Sequence, residues 1–354
     1  MTTVDNSIET ASAPVAQPAQ PLATSRVAFV GPRKVELVEE PIGQPGAGEL
    51  LLRTLLSLIT PGTELTLYSG DYEPGSFWAE FGRYPCYPGF GQVAHVAAVG
   101  PGVVGFAPGD VVLTSLGHRS HSIINADRVM PVHHDVYPEE AVFHTLAAGV
   151  LHSLRVGQLS LGDSVVVVGL GLLGQVTIRL ARVAGARPII GVDLIAERRR
   201  LARAGGATST LSPDSAGFGA QIGLITGGRM ADVVFEMTGS AEAIPTALAL
   251  VRPGGRYVQV GCPRNKSEVD FTSSVVIPSI SVCGALFASQ PDEETSATPW
   301  TRHRNTDLFL SLVQDGTLNL DSLITHRFSW RDAASAYALL ESEPSALGVV
   351  LDWS

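Results

Sequence analysis

Apolar residues recur in two textures along the 354-residue chain. From residue 26 to about 135 they come in short β-type runs, VELVEE, ELLLRTLLSLI, GQVAHVAAVG, DVVLTSL and HSIINADRV, parted by the turns QPGAGE, GPGV and APGD. This alternation predicts a mainly β unit, a partly closed barrel. From about 138 the pattern becomes helical (PEEAVFHTLAAGVLHSLRVGQ), and then wholly apolar strands alternate with amphipathic helices. The predicted order is SVVVVG, a helix over 172–185, PIIGVD, a helix over 195–204, TSTLS, ADVVFEMTG, a helix over 241–250 and GRYVQVG. Strands apolar on both faces belong to a parallel sheet covered by helices, so the fold class is α/β with a doubly wound sheet. A helix (NTDLFLSLVQDG), a β-like stretch (LITHRFSW), another helix (RDAASAYALLES) and a last strand (LGVVLDW) close the chain.

Residues 1–24 are rich in Ala, Pro, Gln, Ser and Thr and hold almost no large apolar side chain, a composition predicting a disordered tail. No basic-then-apolar leader and no apolar run of the ~18 residues that span a bilayer is present, so a cytoplasmic, membrane-free protein is expected. Lys and Arg number 24 against 34 Asp and Glu, for a net charge of −10 without like-charged blocks, which argues against a nucleic-acid partner and leaves small molecules as the expected ligands. Three scattered cysteines, Cys86, Cys262 and Cys283, form neither a disulfide framework nor a thiolate metal cluster.

The stretch VVVVGLGLLGQ (165–175) runs an apolar strand into G-x-G-x-x-G at a helix start, the context of a dinucleotide fingerprint. Gly169 makes the tight turn, Gly171 lets backbone approach a pyrophosphate, Gly174 lets helix and strand pack closely, and the N–H groups of Leu172 and Leu173 face the phosphates. The expected acid, Asp193, lies 19 residues past Gly174. A carboxylate there accepts from ribose hydroxyls and repels a 2′-phosphate, so NAD is expected over NADP; Arg198 either flanks the adenine or reaches a 2′-phosphate. Thr238 and Gly239 after one strand, and Gly261 and Cys262 after the next, stand at the carboxyl edge where open α/β sheets bind ligands.

LITPGTE (58–64), YPGFGQVAHVAAVGPGV (87–103), GLGLLG (169–174), FEMTGS (235–240), GGRYVQVG (254–261) and the closing LGVVLDW resemble the medium-chain dehydrogenase/reductase superfamily over residues 26–354. S-x-I-T-P-G-T-E with Y-P-G-F-G-Q-V is loosely similar to the hydroxyethyl-bacteriochlorophyllide dehydrogenase-like group within it. The resemblance implies a GroES-like catalytic domain over 25–155 and 308–354, a Rossmann domain over 156–307, a nicotinamide cofactor in the cleft between them, and a homodimer with 275–287 as the pairing edge strand. Zinc-dependent members carry C-G-T-D where Pro61, Gly62, Thr63 and Glu64 stand here, and G-H-E where Gly89, Phe90 and Gly91 stand. The third ligand position falls near His144 to Ala147, and no four-cysteine lobe exists. Proline and phenylalanine cannot ligate, and a catalytic zinc takes three protein ligands, so neither a catalytic nor a structural zinc is expected.

Without a Lewis acid the reacting oxygen needs a hydrogen-bonding acid or base. Thr63 stands where the family places a proton-relaying hydroxyl, against the reading of a turn-capping threonine. Tyr84 and Tyr87 are phenol donors or packing aromatics, and Glu64 anchors a basic neighbour. His118 is a cleft-facing acid/base or a surface residue, and H-x-x-H with His121 is a poor metal pattern. His144 is a general base or a satisfied core residue, and His133 and His134 face solvent. The resulting expectation is an NAD-dependent, zinc-independent dehydrogenase of a secondary alcohol or ketone. A zinc-free NADPH-type reductase of activated C=C bonds and a cofactor-binding non-enzyme are the alternatives. Long loops over 66–84 and 288–305, with Tyr72, Phe77, Trp78 and Trp300, hint at a bulky or ring-containing substrate.

Overall fold

A computed structural model describes residues 22–354. The tail expected over 1–24 therefore lies outside the described residues except at its end, and there Ala23 and Thr24 already belong to a strand. The first part is β-rich: β1 (Ala23–Gly31) and β2 (Lys34–Pro41) form a hairpin, and β3 (Glu49–Ile59) is followed by two helices, α1 (Pro61–Ser69) and α2 (Phe77–Phe81). Then come β4 (Gln92–Val99), β5 (Val111–Thr114), β6 (His121–Asn125) and β7 (Met130–Pro131). α3 (Pro138–Ala141) and α4 (His144–Val156) lead into the second part.

There β8 (Val165–Val168), α5 (Leu172–Val183), β9 (Ile189–Val192), α6 (Ala196–Ala204), β10 (Ser209–Leu211), α7 (Phe218–Ile225), β11 (Ala231–Glu236), α8 (Ala243–Leu248), β12 (Val251–Gln259) and β13 (Ser281–Gly284) alternate. The strands make one parallel sheet in the order β10-β9-β8-β11-β12-β13. Its order reverses between β8 and β11, the switch point at which such sheets bind ligands. α9 (Arg302–Gln314), β14 (Ile324–Ser329), α10 (Ala333–Ser342) and β15 (Gly348–Asp352) return the chain to the first sheet, whose order is β14-β15-β3-β4-β5-β7 with β6 also on β3. No helix among the described residues is long and apolar enough to cross a membrane.

One apolar core joins the two sheets: Leu56, Leu58 and Val93 of the first sheet with Phe143, Val150 and Leu154 around α4 and with Val167 and Phe235 of the parallel sheet. Full burial of each such side chain is worth roughly 1.5–3 kcal/mol, so α4 is a firm wall between the halves. The structure corrects three sequence expectations. The segment over 61–84, read as a turn and an irregular loop, is helical in α1 and α2: Pro61 pre-sets the first turn of α1 and Gly70, at φ +66°, ends it. α7 stands where no element was expected between TSTLS and ADVVFEMTG, because FGAQIGLI is too evenly apolar to show a helical stripe. The edge strand expected over 275–287 is only Ser281–Gly284, because residues 272–276 wind into a wide helical turn.

Candidate functional site

The dinucleotide cradle follows from the glycines. Gly169 has φ +91°, and a Cβ there would lie 2.7 Å from Thr238 Cγ2. At Gly174 a Cβ would lie 1.9 Å from the carbonyl oxygen of Gly169, so only glycine lets α5 pack on its strand. Gly171 caps α5 without a side chain, and a Cβ there would meet only Arg198 Nη1 at 3.7 Å. Space above Gly171 is thus open, and the first N–H groups of α5, on Leu172, Leu173 and Gly174, have no acceptor within the helix. This arrangement fits a pyrophosphate.

Asp193, at the end of β9, is nearly buried and already at work. Its Oδ2 accepts from the Leu170 N–H at 2.7 Å and its Oδ1 from the Ile195 N–H at 2.8 Å, which ties the glycine turn to the acid that would hold a ribose. Arg198 Nη1 stands 4.0 Å from Asp193 Oδ2, over the rim of the cradle. Across the switch point a buried carboxylate organises the other edge. Glu236 accepts from Thr238 N–H at 2.8 Å, from the Thr238 hydroxyl, and from Gln259 Nε2 at 2.7 Å; burial raises its pKa against these donors. Gly239 (φ +67°) and Gly261 pack so closely that a Cβ on Gly261 would lie 2.4 Å from the Gly239 nitrogen. Thr238 thus turns its hydroxyl inward and its methyl onto Gly169. Cys262 sits beside them with Sγ 3.9 Å from the Val260 carbonyl oxygen, its thiol pKa raised by burial and by Glu236, so it is no nucleophile.

The first motif is held by a buried polar network. Glu64 Oε1 accepts from the Thr60 N–H (2.7 Å) and hydroxyl (2.6 Å), while Oε2 accepts from the Tyr337 hydroxyl at 2.5 Å and lies 2.9 Å from His118 Nε2. His118 Nδ1 is 2.7 Å from Ser57 Oγ, to which Trp353 Nε1 also donates at 2.8 Å. Desolvation works against the Glu64 charge, but His118 and Thr60 outweigh it and hold the carboxyl below its ordinary pKa. His118 also reaches the second motif, since a Cβ on Gly89 would lie 2.5 Å from its backbone nitrogen.

His118 is therefore neither the cleft-facing base nor the surface residue expected: both ring nitrogens are engaged and the side chain is sealed. Tyr84 is corrected likewise. Its hydroxyl donates to the Leu67 carbonyl at 2.6 Å, and burial raises its pKa, so its proton closes the loop after α1. Tyr87 lies exposed under the Arg26 guanidinium, 3.7 Å from its centroid, and packs as an aromatic platform. Thr63 does not cap the turn; Thr60 takes that place, and Thr63 stands half-buried in α1 with none of the turn's side-chain hydrogen bonds.

His144 opens α4. Its Nδ1 is 3.2 Å from the Ala141 carbonyl, its buried Nε2 has no partner, and a Cβ on Gly91 would lie 3.5 Å from that nitrogen. Burial pushes its pKa down to about 4, so the ring is neutral at pH 7. At the positions that the family resemblance assigns to a catalytic metal stand Pro61, Phe90 and the stretch His144 to Ala147, in which His144 carries an imidazole. Elsewhere among the described residues, the group of three side chains that could share an ion is the exposed His133, His134 and Asp135.

The loop after β12 bridges to α1 and α2. Trp78 Nε1 donates to the Pro263 carbonyl at 2.9 Å, and Arg264 donates to Thr66 Oγ1 at 2.9 Å and Ser69 Oγ at 3.4 Å. Trp78 is spent on this bridge, and Trp300 packs against the guanidinium groups of Arg155 and Arg304, 3.3 and 4.2 Å from its ring centroid, at the far end of α4. The hint of a ring-binding loop loses those two residues. Arg264 escaped sequence reading. Its place five residues past the end of β12 was the available signal; its partners on α1, nearly 200 positions away, were not.

The family model described as a zinc-binding dehydrogenase matches residues 173–302. The chain is 30% identical to the D-guloside 3-dehydrogenase of Escherichia coli over 269 residues, 73% of this chain and 74% of that protein. It is 27% identical over 328 residues to the L-threonine 3-dehydrogenase of Pyrococcus furiosus, covering 84% and 89%. The solved 2R,3R-butanediol dehydrogenase of Bacillus subtilis superposes with a TM-score of 0.79 at 21% identity, covering 93% of this chain and 99% of that one. Together with the cradle, these likenesses define an oxidoreductase built to use a nicotinamide dinucleotide. The chain belongs to the zinc-type alcohol dehydrogenase-like medium-chain dehydrogenase/reductase superfamily.

Proposed function

We propose that this enzyme transfers a hydride between NAD(H) and a secondary alcohol or ketone on a bulky or cyclic metabolite, without a catalytic zinc. The observation that carries the reading is the pairing of a complete cradle with Pro61 and Phe90 at metal positions: the donor set does not fit the three protein ligands of a catalytic zinc. The dinucleotide, when bound, supplies the hydride acceptor or donor. Leu172, Leu173 and Gly174 offer amide donors to its phosphates, and Asp193 has a second lone pair on each oxygen for the ribose hydroxyls. The sheet order sets Asp193 toward β9, so the other half of the cofactor extends over β11 and β12, facing α1.

Thr63, on that helix, hydrogen-bonds the substrate oxygen. His144, neutral and with its buried Nε2 unpaired near Gly91, takes the proton that leaves the alcohol. Thr63→Val is expected to lower kcat by about 100-fold, the lower range of a lost acid/base group, while the NADH Kd holds. An unchanged kcat removes Thr63 from the reaction. The Rossmann sheet edge exposes Val276, Ile277, Val282 and Leu286, and a homodimer covers them; a monomer by light scattering contradicts this.

A further inference from the structure

A groove of about 250 Å³ runs between three helices, remote from the dinucleotide cradle. Its apolar lining includes Leu151 and Leu154 of α4, Leu180 and Val183 of α5, and Leu308 and Leu312 of α9. Two polar side chains join them, Arg155 and the exposed Gln158. α5 begins at the cradle with Leu172 and reaches the groove at its other end, about 16 Å away at 1.5 Å per residue.

Arg155 is a cation without a counter-charge. Its Nε donates to Asn305 Oδ1 at 3.1 Å, and the fully buried Asn305 is itself fixed by donating to Gln290 Oε1 at 3.0 Å. The guanidinium lies over the Trp300 ring, 3.3 Å from its centroid. Among the described residues its Nη groups find no acceptor and no carboxylate pairs with it, whereas Arg304 has Glu294 at 3.3 Å and Arg302 has Asp292 at 3.8 Å. Burial and the charge of Arg304 push the Arg155 pKa down to about 10, as befits a guanidinium short of an anion. Gln158 adds a second oddity. Its φ of +48° is the left-handed conformation that glycine usually takes after a helix, yet a side chain is kept there, and it lines the groove three residues past Arg155.

These features select a ligand. A neutral apolar molecule would cover the guanidinium and leave it unpaired, a cation would be repelled, and a dianion exceeds the one free charge. A carboxylate matches the fork of the two Nη groups and accepts a further hydrogen bond from the Gln158 amide. We propose that the groove binds a medium-chain aliphatic monocarboxylate, its head on Arg155 and Gln158 and its chain among the leucines. The volume is about eight times a water molecule's share of the liquid, room for a chain of roughly six to eight carbons. Asn305 and Trp300 hold the guanidinium in place beforehand, so little side-chain freedom is lost on binding. The site stands apart from the reaction centre and does not depend on the reaction assigned above.

The test is isothermal titration calorimetry of octanoate and of its neutral isostere octanamide into the full chain saturated with NADH, below the concentration at which either probe aggregates. Octanoate is expected to bind the wild type at least tenfold more tightly than octanamide. Arg155→Met is expected to bring that ratio close to one. Ala184→Phe, at an exposed position that lines the groove, fills it and is expected to weaken both probes at least tenfold with Arg155 in place. No octanoate binding in the wild type, or equal binding of the two probes, overturns the proposal. So does a ratio unchanged in Arg155→Met, or affinities unchanged in Ala184→Phe, which would put the probes elsewhere on the molecule. Self-association that Ala184→Phe abolishes, read by light scattering, with no octanoate bound to the wild type, gives the groove to a second copy of the chain and overturns it as well.

Discussion

Glu64 Oε2 and His118 Nε2 lie 2.9 Å apart with both side chains sealed from solvent. The pair fastens the helix that bears Thr63 to the strand loop that carries His118 and, through it, to Gly89 of the second motif. Removing one member of a buried pair strands the other, at a cost of about 3–5 kcal/mol. Glu64→Gln and His118→Phe are each expected to lower the urea midpoint accordingly, and the double variant less than their sum. Losses under 1 kcal/mol would show that the network is not what orders the first motif.

Acid acts on two buried groups in the same direction. His144 is held at about pKa 4 against an ordinary 6.5, so its stabilising contribution is complete above pH 6.5 and is lost as pH falls toward 4. Glu64 titrates below its ordinary value, so its contribution is present above about pH 4.5 and is lost as pH falls through the depressed value. The His144 shift corresponds to about 3 kcal/mol. Urea midpoints at pH 7.5, 5.5 and 4.5 should fall steadily in the wild type, and His144→Gln should flatten the upper part of that fall. A parallel decline in the variant would place the acid sensitivity elsewhere.

Glycines of the fingerprint separate by role. Gly171→Ala adds a Cβ to open space and should leave the melting temperature within about a degree while weakening NADH at least tenfold, because the methyl group occupies the path of the pyrophosphate. Gly174→Ala forces a Cβ against the Gly169 carbonyl and should destabilise by about 1–3 kcal/mol or more. Calorimetry and fluorescence titration of the two variants check the contrast. Equal loss of stability in both would deny that Gly171 is reserved for a ligand.

Cofactor choice rests on Asp193 with Arg198 at its shoulder. Asp193→Ser should cut kcat/KM for NAD about tenfold and raise that for NADP, Arg198 then meeting the 2′-phosphate unopposed. Arg198→Ala in that background should undo the gain. An NADP preference in the wild type would reverse the assignment.

Local pattern made the parallel sheet, the glycine turn and Asp193 legible, because strand, turn, helix and acid are encoded within 30 consecutive residues. The loss of metal-ligating side chains at Pro61 and Phe90 was equally readable. Partnerships over distance were not: Glu64 with Tyr337 spans 273 positions, and Arg264 with Thr66 spans 198. Thus the sequence leaves Tyr84 open between phenol donor and packing aromatic, and His118 between cleft acid/base and surface residue, whereas folding gives their polar atoms to Leu67, Ser57 and Glu64. α1 was missed because P-G-T-E reads as a turn until Thr60 and Glu64 close it as a helix start.

The most direct test of the central claim is metal content measured alongside turnover. Zinc per chain is quantified in protein purified without added metal, and NAD reduction with a secondary alcohol is followed before and after prolonged chelation. Zinc well below one per chain, with turnover unchanged by the chelator, is the predicted result. One zinc per chain, lost on chelation together with activity and regained with added zinc, would contradict it.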